Sequence, residues 1–484
     1  MKTQNRVRFA VLAGAALLAA CGGGDGPVAV VTPPPVPEEA RAQDVRLFTP
    51  ADPAATTFDA LAGVTVGTDR WAGVLNGAAY RVEVPATGWN GRLVMYAHGF
   101  RGEGPTLTVS NPSIRRYLID NGYAWAASSY STNYYDVRSG VEDTNALALA
   151  FNNIAAANGR TLAAPDRIYI TGHSMGGHVT GAAIEAEAMA NARNKVMYHG
   201  AVPMCGVMGD AELFNRFAGM QVTAQALAGV PSYPTDKWSE IAGLVTSTLF
   251  TNFPTVPTAQ GVKYLSVVEN LTGGERPLFD QGIAFGGSFP SAYGTFGSDG
   301  TVTGILNRNV LDTNALTYVI SGDAVGSAEL NLSAQKLTAA PEANRLRRDG
   351  LRWIPAINGE FNIPVVSIHT LGDLFVPFSM QQVYQQRASA KGSANWLVQR
   401  AIRGASHCDF TVAEQVQAFS DMVAWEQGGA KPAGDDVTTP ATVADPRYGC
   451  TFTNNTLGAD DGAPVPALRN GIAFSLPGAC TPPI

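Results

Sequence analysis

Apolar positions along this chain fall into short runs at two spacings. Tyr80-Arg81-Val82-Glu83-Val84 alternates apolar and polar, the period-two pattern of a half-buried strand. Leu93 to Ala97, Tyr123 to Ser129, Ile168 to Thr171, Met197 to Cys205, Ile363 to Thr370 and Trp396 to Ile402 are compact, mostly apolar stretches and read as further strands, with Pro364 tolerable near the start of its own. Helix-like stretches lie between them. Ile114 to Asn121 stops at Gly122, a C-cap residue; Val141 to Ala157 and the Ala-rich Val179 to Arg193 are built from good helix formers. Thr411 and Glu414 form a capping-box pair, and Val412, Val416, Phe419 and Val423 after them share one helical face. Trp89-Asn90-Gly91 is a turn, and Tyr130 to Gly140 is a polar, aromatic loop that either lines an entrance or is solvated.

Composition widens this picture only a little. The 484 residues suffice for one large domain or two to three ordinary ones, and 45% apolar against 15% charged residues permits a sizeable core. The net charge of −7 comes with no basic stripe, which argues against a nucleic-acid partner. Residues 1–21 read as a targeting segment: Lys2, Arg6 and Arg8 precede an apolar stretch, Phe9 to Ala20, too short to span a bilayer comfortably. Its end, Leu18-Ala19-Ala20-Cys21, resembles the lipobox of bacterial lipoproteins. That resemblance implies cleavage before Cys21, lipids on its thiol and amine, and membrane attachment of an exported protein; Gly22 after the cysteine looks like outer-membrane sorting. Residues 22–43 are Gly- and Pro-rich at their start and read as a flexible tether.

The chemistry concentrates in Arg167 to Gly177, RIYITGHSMGG. An apolar strand, then Gly172-His173-Ser174-Met175-Gly176, then a helix-forming stretch is the setting in which G-x-S-x-G is a nucleophile elbow. A serine hydroxyl is a weak nucleophile until a base takes its proton, so it must project clear of the backbone. Upstream, the strand Leu93 to Ala97 runs into His98-Gly99-Phe100-Arg101-Gly102. An HG-x-x-G turn at a strand end can supply half of an oxyanion hole, and the amides of Phe100 and Met175 are the candidates.

HG-x-x-G, then GHSMGG, then an acid and a histidine in that order resemble the α/β-hydrolase superfamily over roughly residues 80–429, and within it the secreted bacterial serine esterases and lipases. The resemblance implies an α/β fold with a mostly parallel central sheet flanked by helices, and a Ser-Asp-His chain order. Of the six histidines only His407 follows a strand that ends in an acid: the stretch 363–370 runs on to Leu371-Gly372-Asp373. His407 is therefore the expected base and Asp373 its orienting acid. Asp409, two residues from His407, is the rival acid but is poorly placed to reach the far ring nitrogen. His369 reads as a strand histidine and His173 as packing beside the elbow.

The interval from Ser174 to Asp373 is much longer than that from Asp373 to His407, so residues 210–362 form an insertion, which in this superfamily is a cap or lid. Leu213 to Leu227, Trp238 to Phe250 and Gln335 to Arg348 look helical within it. Phe285-Gly286-Gly287-Ser288-Phe289 and Tyr293-Gly294-Thr295-Phe296-Gly297 suit either an apolar, adaptable substrate wall or an irregular loop. The expected organisation is 44–209 and 363–429 as hydrolase core, 210–362 as cap, and 430–484 as a C-terminal extension.

Besides Cys21, four cysteines remain, enough for two disulfides in three possible pairings. Cys450 and Cys480 would close a local loop in the extension, which leaves Cys205, after a central strand, and Cys408, next to His407. The His-Cys pair resembles that of tannase-like esterases, where a disulfide braces the histidine, but here His173 rather than a cysteine precedes Ser174. No metal-ligand spacing stands out, and such a triad needs no cofactor. The expected activity is hydrolysis of carboxylic esters through an acyl-enzyme. A polyester depolymerase or lipase is the alternative, followed by a peptidase and by a catalytically silent binding protein on the same scaffold.

Overall fold

In the computed structural model, residues 46–295, 310–475 and 480 are described here. Cys21, the tether, Phe296 and Gly297 lie outside these residues. Eight strands form the central sheet: β1 (Thr68–Leu75), β2 (Ala78–Pro85), β3 (Arg92–Ala97), β4 (Ala124–Ser128), β5 (Arg167–His173), β6 (Gly200–Met204), β7 (Val365–Thr370) and β8 (Leu397–Ile402). Their order is β1-β2-β4-β3-β5-β6-β7-β8. Strand β2 runs antiparallel to both β1 and β4, and the other neighbours are parallel. This is the α/β-hydrolase fold.

Successive side chains of a strand point to opposite faces, and here both faces are apolar because helices cover both. Leu93, Met95, Ala97 and Ile170 join one buried cluster with Phe151 of α2 (Val137–Ala157) and Val179 of α3 (Met175–Ala183). Val94, Tyr96, Tyr169, Val202 and Val366 face the other cluster, with Leu118 of α1 (Arg115–Asp120) and Phe419 of α11 (Val412–Glu426). The strands therefore read as continuous apolar runs, whereas Thr68–Leu75 at the sheet edge is largely half-exposed.

The insertion leaves the sheet after β6 and returns at β7. It holds α4 (Glu212–Leu227), α5 (Trp238–Leu249), α6 (Ala259–Leu271), α7 (Phe279–Ala284), α8 (Ser288–Ala292) and α9 (Ala324–Ser333). Helix α10 (Ser379–Lys391) follows β7, and α12 (Pro464–Ser475) lies in the C-terminal extension. No helix among the described residues is long and apolar enough to cross a membrane.

Several sequence expectations are corrected. The elbow helix starts four residues before Val179 and ends at Ala183, with a separate helix over Ala186–Asn191. The break falls at Glu185, whose carboxylate accepts the N–H groups of Gly359 and Glu360 while Ala186 N–H donates to Glu360 O. Gln335 to Arg348 is not a helix. Thr313 and Leu337 hold each other's backbone there, and Pro341 offers no N–H to a helix. In α11 the buried face is Gln415, Ala418, Phe419, Met422 and Val423, while Val412 and Val416 are half-buried. The loop after Tyr130 is not solvated: Tyr130, Asn133, Tyr135 and Asp136 are buried.

Candidate active site

Strand β5 ends at His173 and α3 begins at Met175, so the entire reversal is made by Ser174, at φ 58° and ψ −122°. A non-glycine residue with positive φ is strained, and it persists only where its surroundings fix it. Two of its glycines make the turn sterically possible. A Cβ on Gly176 would lie 2.1 Å from Ala97 O, and one on Gly172 would lie 2.4 Å from Gly176 O. Strand β3, strand β5 and helix α3 thus meet at a spacing that only hydrogen side chains allow. Ser174 N–H donates to Met204 O at the end of β6, which ties the elbow to the next strand.

Asp373 and His407 reach this point from the two following crossovers. Asp373 follows β7 and is fully buried. Its Oδ1 accepts N–H groups from Phe375 and Val376, each at 2.9 Å. Its Oδ2 lies 2.6 Å from His407 Nδ1, and His407 Nε2 lies 2.8 Å from Ser174 Oγ. One continuous hydrogen-bonded line thus runs carboxylate, imidazole, hydroxyl. Asp409 is elsewhere: Ala405 N–H donates to it and the Arg469 guanidinium lies 3.7 Å away.

The other histidines have local partners. His369 bonds Val376 O and Gln381. His173 bonds the Tyr96 hydroxyl and Gln415 beside the elbow; burial first, then the charge of nearby His407, hold its pKa down at about 4. His98 stacks on Tyr130 with ring centroids 4.1 Å apart, and burial pushes its pKa down to about 4. Tyr130 donates its hydroxyl to His98 O at 2.9 Å. Its role in fixing the HGFRG turn was hidden in sequence, because a tyrosine just beyond a strand end looks like any loop aromatic. Gly99 of that turn packs on Ser174, since a Cβ there would lie 3.2 Å from Ser174 Cβ. Phe100 is half-buried against the core, and Met175 supplies the first N–H of α3, which has no intrahelical acceptor.

The insertion touches the same loops. Ser288 Oγ accepts Leu374 N–H, and Ser406 Oγ donates to Gly286 O. Phe375 packs on His407 at 5.4 Å between centroids and on Phe217 of α4 at 6.1 Å. Within the Phe285–Phe289 stretch, Gly286 and Ser288 bond the loops of Asp373 and His407 and Phe289 is buried, while Phe285 is exposed.

Cys205 is linked to Cys408 with Cα atoms 5.3 Å apart, and Cys450 to Cys480. Cys205, His407 and Cys408 lie within 4.8 Å of one another, but both sulfurs are consumed in the disulfide and no thiolate is left for a metal. A cavity of about 580 Å³ behind β8, lined by Arg400, Glu414, Asp421 and Phe452, includes none of Ser174, Asp373 and His407.

No family model matches the chain, and no curated protein matches it. Among solved structures, feruloyl esterase B from Aspergillus oryzae is similar at 15% identity, with a TM-score of 0.46 over 78% of this chain and 86% of that one. An esterase from Aspergillus oryzae gives 12% identity and a TM-score of 0.43 over 80% and 85%. Pyrococcus horikoshii acylaminoacyl peptidase gives 10% and 0.36 over 77% of this chain and 44% of that one.

Proposed function

We propose that this chain is an exported serine hydrolase that cleaves carboxylic esters through an acyl-enzyme. The observation that carries the reading is the unbroken line Asp373–His407–Ser174, with contacts of 2.6 and 2.8 Å in a strained elbow. In this reading His407 Nε2 takes the proton as Ser174 Oγ bonds to the ester carbonyl carbon. The oxygen of the tetrahedral intermediate becomes negative where the N–H groups of Met175 and Phe100 can donate, the second supported by the tight approach of Gly99 to Ser174. His407 then protonates the departing alcohol as the C–O bond breaks. Water attacks the acyl-serine by the same steps in reverse, freeing the acid and Ser174. Asp373 holds the ring with Nδ1–H inward and stabilises its cation.

Two disulfides fit an oxidising compartment, and the lipobox-like sequence at Cys21 fits a lipid anchor. The insertion, which reaches both the Asp373 and His407 loops, is read as a cap that selects a bulky ester; a polyester or a lipid ester belongs to this class. A panel of p-nitrophenyl esters of increasing acyl length, run beside p-nitroanilides and a polyester film, tests the proposal. Turnover of esters well above that of the matching anilides is expected. Anilide cleavage at equal or greater rate points to a peptidase and overturns the ester assignment.

A further inference from the structure

The C-terminal extension, residues 430–475, is bonded to β8 and α1, and it is bonded as well to the loop that carries His407. Two arginines make the connection, and they do so reciprocally. Arg403, the first residue after β8, donates to the carbonyls of Pro446 and Tyr448 in the extension. Arg469, on α12 of the extension, sends its guanidinium the other way. One nitrogen donates to Arg403 O at 2.9 Å and the other to Asp409 O at 2.6 Å. These two carbonyls bracket the segment Gly404-Ala405-Ser406-His407-Cys408. A single planar fork therefore holds both ends of the loop from which the imidazole projects.

Most of the clasp is hydrogen-bonded, while Arg469 Nε and Asp409 Oδ1 face each other at 3.7 Å without a hydrogen bond. Arg469 is buried, and the same nitrogen that reaches Asp409 O also donates to Glu414 Oε2 at 2.9 Å. Glu414 is the capping-box acid of α11, and its other oxygen accepts Asn454 N–H from the extension. Thr453 accepts Arg403 N–H, and Thr411 donates to Asn454 O. The fork geometry matters because a lysine, with a point charge on a flexible stem, cannot hold two carbonyls this far apart in sequence in a fixed plane.

We infer that Arg469 is a positioning residue for the proposed reaction: the extension completes the active site from behind by fixing the His407 loop. The inference rests on the proposed function, because it assigns Arg469 a role through His407. An acceptor loop held at Arg403 O and Asp409 O keeps Nε2 at hydrogen-bond range of Ser174 Oγ. Released, the loop keeps its links at Thr370, Gly286, Cys205 and Thr453 but loses the one group that ties its two ends together.

The test uses the full chain. Arg469→Met leaves Glu414 and Asp409 buried without their cation and can fail to fold, so Arg469→Lys, which keeps the charge and loses the fork, is the decisive variant. Melting temperature, kcat, KM and the rate of inactivation by a fluorophosphonate are measured on both. Arg469→Lys is expected to fold and to lose about 10²-fold in kcat, the cost of a misplacement of about 1 Å, with KM nearly unchanged and phosphonylation slowed alongside. A folded Arg469→Lys with the parent kcat, or one whose loss lies in KM, overturns the inference. So does failure of both variants to fold, which makes Arg469 a requirement of the fold alone. If the parent protein hydrolyses no ester and takes no phosphonate, the proposed function has failed instead, which keeps the two failures distinct.

Discussion

At the scale of single residues, the site depends on two carboxylates that sequence spacing alone brings into competition. Asp409 is closer to His407 along the chain, yet its carboxylate faces Ala405 N–H and Arg469. Asp373 is 34 residues away and touches Nδ1. Asp373→Asn presents a donor or an indifferent oxygen to Nδ1 and favours the tautomer that cannot accept the serine proton. A fall in kcat on the order of 10⁴ is expected, with the fold intact. Asp409→Asn should retain most of the turnover. Steady-state kinetics on both variants decides, and a larger loss in Asp409→Asn would show that the wrong acid has been chosen. That Ser174, Asp373 and His407 would meet was legible in sequence because the strand-turn-helix setting and the chain order restrict them severely. Tyr130 and Arg469 were not, since nothing local to either residue says which distant carbonyl it reaches.

At the scale of elements, the carboxyl ends of the strands carry the strain. Tyr130 after β4, Ser174 after β5 and Cys205 after β6 all have positive φ, at 58°, 58° and 44°, and Cys408 after β8 has 55°. Such backbone costs on the order of 1–3 kcal/mol per residue, so it must be held by neighbours. For Cys205 and Cys408 the holder is their mutual disulfide, which also fixes the residue after His407. The loop it closes spans 203 residues, and constraint of the unfolded chain alone is worth about 5 kcal/mol. Reduction, or Cys408→Ser, should lower the melting temperature and reduce kcat more than it changes KM. Unchanged turnover in protein whose thiols at both positions have been quantified as free would refute that link. The same scale explains the misread helices. Periodicity and composition suited Gln335 to Arg348, but the backbone groups there were already engaged by Thr313, a partner no local window contains.

At the scale of the whole molecule, buried ionisable groups set how stability answers to pH. His98 and His178 are buried and His173 is half-buried, and desolvation lowers each to about 4. Between about pH 6.5 and 4 the unfolded chain binds protons on these rings that the folded chain refuses, so they cost stability as pH falls through that window. Half-buried Asp143 and Asp435, raised to about 6 by desolvation, and buried Glu185, raised to about 7, act in the opposite sense and cost stability as pH rises toward those values. The net slope is their difference, and a single substitution isolates one part of it. His178 bridges the Tyr135 hydroxyl and Pro355 O, joining the elbow helix to the end of the insertion. His178→Gln should flatten the acid limb of unfolding free energy by about one proton, roughly 1.4 kcal/mol per pH unit. Urea unfolding between pH 4.5 and 6.5 measures it, and parallel curves for the two proteins would show that His178 is not the titrating group.

The sheet was readable from sequence because both of its faces are apolar, so nearly every strand appeared as a run. In the insertion and the extension, two helices and the Cys450–Cys480 link were readable, but not what these segments pack against. Their function lies in contacts with loops far away in the chain. The proposed reaction turns on Ser174 as its nucleophile. A fluorophosphonate probe incubated with the protein, followed by digestion and mass spectrometry, tests it directly. The expected result is one stoichiometric adduct on Ser174, formed with loss of ester hydrolysis and absent from Ser174→Ala. An adduct on another serine, or an unlabelled protein that still hydrolyses esters, would contradict the assignment of Ser174, Asp373 and His407.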